Sequence, residues 1–159
     1  MRKKQLITIT LSIFCLANLS AQDLKAIGEK YLESYFAIDL DAVEGYLSDD
    51  IIWSDPTWAE MDPSSKPIVN KQNVIAHFKT AFDGISNIEH EVDHFFTSAN
   101  IVVAEGFISY HWTSQEGKVF KFKIREVTIL VFDENNKVVK HTDYGDFKTW
   151  GEQYREQLK

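Results

Sequence analysis

Asp55 stands immediately before the first proline of the chain, with tryptophans at positions 53 and 58 on either side. A residue that precedes proline is pushed towards extended backbone, so Pro56 restricts where the Asp55 carboxylate points. Trp53, two residues back on an extended segment, projects to the same face. A carboxylate among indoles is partly desolvated, which lifts its pKa towards the range useful to a general base. The same Asp-Pro-Thr sequence also suits a turn in which Asp55 accepts backbone hydrogen bonds. The local sequence is compatible with both arrangements.

Further along, polar groups interrupt an apolar row. Phe120, Phe122, Ile124, Leu130 and Phe132 alternate along one face of an expected strand, and Glu126 and Thr128 fall on that same face. Buried polar groups must find partners or water. Glu126 and Thr128 therefore either line a pocket or mark a partly exposed stretch. On the next expected strand His141 and Asp143 are two apart and share a face. The turn before them leaves the register open. One register sets His141 beside Thr128 and Asp143 beside Glu126; another sets Asp143 beside Arg125 as an ion pair.

Other chemistries find little support. His90, His94, His111 and His141 fall on expected strands at spacings unlike a compact zinc site, so no metal is expected. No Gly-x-Ser-x-Gly elbow is present, and the seven glycines are too scattered for a phosphate loop. The expectation is a site that works without a cofactor.

These residues need elements to hold them. Leu24, Ile27, Tyr31 and Tyr35 recur at helical spacing, with Leu32 and Phe36 widening the stripe, which predicts a helix from about Leu24 to Ile38. Asp39 and Asp41 suit the cap of a second, short helix burying Val43 and Leu47. Ser48-Asp49-Asp50 should end it, and Ile51-Ile52-Trp53 reads as a short strand. Residues 54–69 hold all three prolines and read as a loop. Asn70 can cap a third helix whose face includes Val74, Ile75 and Phe78, with Gly84 at its end. Period-two patterns then predict strands over 88–96, 101–113, 119–132 and 137–144. Phe147, Trp150, Tyr154 and Leu158 return to helical spacing.

Three helices followed by an antiparallel meander give an α+β architecture. A strongly twisted sheet curls around such helices into a cone, and the mouth of a cone is a natural ligand site. Trp53, Trp58, Phe78, Glu126 and Thr128 are the expected ligand contacts.

The N-terminus reads differently from the rest. Arg2, Lys3 and Lys4 precede a mostly apolar run from Leu6 to Leu19, and Ser20-Ala21 offers small residues for cleavage. That is the pattern of a signal peptide over residues 1–21, leaving one domain over 22–159 and an exported protein, periplasmic or extracellular. Cleavage would remove Cys15, the only cysteine, and with it any disulfide or thiol nucleophile. The formal net charge is −7, and loss of the three basic residues makes the remainder more acidic. Such a domain should repel nucleic acid and anionic membrane surfaces.

The run Tyr-Leu-Ser-Asp-Asp-Ile-Ile-Trp-Ser-Asp-Pro, ending at Asp55-Pro56, resembles the corresponding segment of ketosteroid isomerases and of many SnoaL-like proteins of the nuclear-transport-factor-2-like superfamily. The resemblance implies the cone fold. It also implies that Asp55 is a proton-shuttling base and Tyr31 the donor to an oxyanion. In those isomerases a protonated acid completes the oxyanion hole; here its position falls at Thr128, with Glu126 one pleat earlier as a substitute. His-Thr-Asp at 141–143 resembles the His-Trp-Asp of SnoaL-like polyketide cyclases, which implies an acid/base role for Asp143 with His141 beside it. The implied ligand is a small apolar or carbonyl-containing molecule. The implied activity is isomerase, cyclase or dehydratase chemistry, the alternatives being a non-catalytic binding module or a dimeric interaction domain.

Overall fold

The computed structural model describes residues 24–159; the expected signal peptide lies outside the described residues. Helix α1 spans residues 24–36 and buries Leu24, Tyr31, Leu32, Tyr35 and Phe36, the stripe its spacing requires. It stops short of Ile38, which adopts φ 58°, a left-handed turn more often left to glycine. Asp39 caps α2 (Leu40–Tyr46) by accepting from the Ala42 N–H.

Ser48-Asp49-Asp50 does not interrupt the chain as expected. Strand β1 runs Leu47–Ser54, and a register shift between Leu47 and Ile52 accommodates these acids. The expected loop also holds structure. Helix α3 (Pro56–Met61) is capped by Asp55 with Pro56 in its first turn, and β2 (Ile68–Val69) follows. Asn70 then caps α4 (Lys71–Ala81), which buries Val74, Ile75 and Phe78. Four helices therefore precede the meander among the described residues, where three were expected.

Strands β3 (Ile85–Ser98), β4 (Ile101–Thr113), β5 (Val119–Phe132) and β6 (Val138–Gly145) form the antiparallel meander. Strand β6 also pairs in parallel with β1, and β2 lies antiparallel on the far edge of β1. The sheet order is β2-β1-β6-β5-β4-β3. It is thus a mixed six-stranded sheet and not purely antiparallel. The parallel pair is accessible because helices and meander together form a long crossover. Register shifts in β3, at Ser86/Glu89 and Val92/His94, increase the local twist, and the sheet curves about the helices without closing.

The register of β6 decides what faces the hollow. Phe132 pairs with Val138, but Val131 pairs with Lys140, so Val139 is an inserted bulge residue. Beyond it Leu130 faces His141 and Thr128 faces Asp143. Neither expected register occurs: His141 is not opposite Thr128, and Asp143 is opposite neither Glu126 nor Arg125. Without the bulge Thr142 would face Thr128, and His141 and Asp143 would point outward.

Helix α5 (Phe147–Gln157), capped by Asp146, lies along β5 past the end of β6. Gln157 bonds both the N–H and the carbonyl of Lys121, each at 2.8 Å. Gln153, one turn earlier, does the same to Lys123 at 3.0 and 2.7 Å. Two side chains thus occupy the strand edge that β6 leaves open. No described helix is long and apolar enough to cross a membrane.

Candidate active site

A cavity of about 360 Å³ lies between the helices and the concave face of the sheet, within the usual range for small-molecule sites. Rings from several elements line it: Tyr35 of α1, Trp53 of β1, Trp58 of α3, His77 of α4 and Tyr110 of β4. Three carboxyl side chains open on the same space, those of Asp55, Glu126 and Asp143. Each is held differently.

Asp143 is saturated with donors. Its Oδ1 accepts from the Thr128 hydroxyl at 2.7 Å and from His141 Nε2 at 2.8 Å. Its Oδ2 accepts from Trp53 Nε1 at 3.1 Å and from the Tyr35 hydroxyl at 3.3 Å. An ionised carboxylate has about four acceptor positions, and all are used. Burial pushes the Asp143 carboxyl up, but His141 and the hydrogen bonds from Thr128 and Trp53 outweigh it and hold it below the usual carboxylate range. Behind Asp143 the chain of contacts continues, with His141 Nδ1 2.8 Å from the Tyr31 hydroxyl.

Glu126 stands in the opposite condition. Burial pushes its carboxyl well above the usual range, and the charges of Asp143 and Asp55 push it further. Only the Thr128 hydroxyl, at 3.4 Å, pulls it down. Asp55 lies between these extremes. Its Oδ1 accepts from the Trp58 N–H at 2.8 Å and the Thr57 hydroxyl at 2.6 Å, which is the helix cap that the turn reading required. Burial nevertheless dominates and raises its pKa, with the Thr57 and Trp58 hydrogen bonds opposing. The turn and the desolvated acid are therefore one arrangement. Thr57 also fixes the cap to the sheet by accepting from the Gly145 N–H at 2.9 Å.

The structure divides the expected site residues into two layers. Asp55, Trp53, Trp58, Glu126 and Asp143 line the cavity. Tyr31, His141, Thr128 and Phe78 do not line it and are 0–1% exposed. Tyr31 is turned towards His141, and so it is not positioned to meet a ligand's oxygen; Thr128 is turned towards Asp143. Phe78 packs edge-on to Tyr35 with ring centroids 5.1 Å apart and to His141 at 6.0 Å, so it supports the wall from behind and does not line the cavity. Tyr35, Tyr110 and His77 reach the cavity and were missed. Tyr35 lies one helical turn after Tyr31, where the same stripe could have flagged it. Tyr110 shares the inward parity of Ile108 on β4.

The chain belongs to the SnoaL-like domain family, which matches residues 29–141. No curated protein matches it. Among solved structures it is similar to a provisionally assigned SnoaL-like polyketide cyclase from Shewanella denitrificans, at 20% identity and a TM-score of 0.74, covering 84% of this chain and 97% of that one. It is also similar to an LEH-like epoxide hydrolase from M. tuberculosis, at 12% identity and a TM-score of 0.68, covering 87% and 94%. A ketosteroid isomerase-like protein from Erwinia carotovora atroseptica is similar at 16% identity and a TM-score of 0.59, covering 79% and 95%. At these identities the likeness carries the fold alone. That fold is one used by cyclases, isomerases and epoxide hydrolases.

Proposed function

We propose that this chain is a cofactor-independent proton-transfer catalyst acting on a small carbonyl compound. One arrangement supports the reading: carboxyl groups whose pKa values are pushed in opposite directions open on the same aromatic cavity. Environments that separate the pKa values of neighbouring acids are how acid and base roles are assigned. Asp55 would take a proton from the carbon next to the carbonyl. The C–H electron pair then forms the new carbon–carbon double bond, and the carbonyl π pair moves to oxygen, which receives the Glu126 proton. Where the substrate carries a β,γ double bond, the intermediate is a dienol: return of the Asp55 proton to the γ carbon shifts the double bond into conjugation, the oxygen-bound proton goes back to Glu126 as the carbonyl re-forms, and both carboxyl groups regain their starting states. Asp143 stays ionised throughout and keeps Glu126 protonated. Glu126 takes the donor role that the family resemblance gave to Tyr31, and Tyr31 with His141 positions Asp143.

The test is α-proton exchange in D₂O, followed by NMR on small ketones first selected by thermal shift. Asn caps helices about as well as Asp, so Asp55→Asn should fold and bind normally. It should lose exchange by about 10²-fold or more. Exchange equal to wild type in Asp55→Asn removes Asp55 as the base, and binding without any exchange in the wild type makes the domain a non-catalytic ligand carrier. We also propose export, supported by the basic and apolar N-terminus and tested by finding Gln22 as the mature N-terminus. A homodimer is a further proposal, tested by light scattering.

A further inference from the structure

The cavity is sorted by charge. Asp55, Glu126 and Asp143 open on it, and among the described residues that line it there is no lysine and no arginine. The basic side chain that touches Asp143 is His141, wholly buried behind the wall. Even fully protonated, it balances the Asp143 carboxylate alone, and with the proton on Glu126 the Asp55 carboxylate is left without a countercharge. A neutral apolar ligand would desolvate the Asp55 carboxylate without offering a countercharge, which is unfavourable.

The rings supply the second observation. Tyr35, Trp53, Trp58 and Tyr110 come to this one space from four different elements. The faces of such rings carry negative potential and attract cations, most strongly where water is excluded. Acidic side chains with aromatic rings, and no lysine or arginine between them, make a site for positive charge; His77, the imidazole on the wall, is pushed towards its neutral form by burial.

We propose that the substrate of this site is a small organic cation: a carbonyl compound bearing a protonated or quaternary amine, with its ammonium group among the rings and its carbonyl in reach of Asp55 and Glu126. The inference rests on reading the cavity as the proton-transfer site, and it names the substrate class. An ammonium held there also favours the reaction, because its charge stabilises the enolate as it develops. The net charge of −7 draws cations towards the molecule from a distance.

Choline and 3,3-dimethylbutan-1-ol share a shape and differ in charge, so calorimetric titration with each isolates the charge. Choline should bind about tenfold or more tighter than the alcohol. Trp58→Leu should weaken choline by about threefold or more while leaving the alcohol within about twofold. An alcohol that binds as tightly as choline, or choline that does not bind saturably, overturns the proposal. Ketone exchange separates this outcome from the reading beneath it. Loss of the charge preference with exchange intact removes the cation alone, whereas absent exchange removes the catalyst whichever probe binds.

Discussion

At Asp143 every acceptor position has a donor, while the one hydroxyl near Glu126 among the described residues, that of Thr128 at 3.4 Å, gives its single proton to Asp143 at 2.7 Å. That contrast has a consequence for stability. A carboxyl whose folded pKa is raised binds its proton more strongly folded than unfolded. Its stability contribution is complete below the unfolded value of about 4.3 and is lost as pH rises through the folded value. Glu126→Gln removes that titration. It should raise Tm at pH 7 by about 4 °C, the shift expected from about 1 kcal/mol in a domain of this size, and the gain should vanish by about pH 4. Thermal unfolding across pH checks it; a gain independent of pH would mean that Glu126 is not perturbed. The sequence disclosed the acids themselves, because Asp55 precedes proline and Glu126 interrupts an apolar row. It could not disclose which hydroxyl reaches the cavity. Tyr31 and Tyr35 occupy one stripe of one helix, and the contact with His141 that turns Tyr31 away is formed across 110 residues.

The elements show the same limit. Local pattern was enough for α1, α2, α4, the meander and α5, where spacing and caps speak for themselves. The parallel pairing of β1 with β6 was not legible, since a pairing between distant segments leaves no trace in either. The bulge at Val139 was not legible either, and it alone sets the face of His141 and Asp143. Helix α3 was within reach: Asp55 as cap with proline at the first position is a helix start, read here as a loop because prolines cluster nearby. Helix α5 carries its own prediction. Gln153→Ala and Gln157→Ala should each cost about 1 kcal/mol and should speed amide exchange at Lys123 and Lys121 respectively. Urea denaturation and hydrogen exchange read both. Unchanged protection of these amides would mean that the glutamines do not hold the edge.

Across the whole molecule, Asp143 is where the pieces meet. Its four donors come from α1, β1, β5 and β6, so its charge state exists only once helices and sheet are assembled. The cavity inherits its character from that assembly. Burial and the Asp143 charge raise the Glu126 pKa, the cap of α3 holds Asp55 against the same space, and the chain carries a net charge of −7. Carbon-13 NMR of the Asp and Glu side-chain carboxyls, titrated from pH 3 to pH 9 and assigned through Glu126→Gln and Asp143→Asn, reads these states directly. The account predicts that at pH 7 the Glu126 carboxyl is protonated and the Asp143 carboxyl ionised, and that Asp143→Asn lowers the Glu126 midpoint. Two carboxylates both ionised at pH 7, each with an ordinary midpoint, would contradict it.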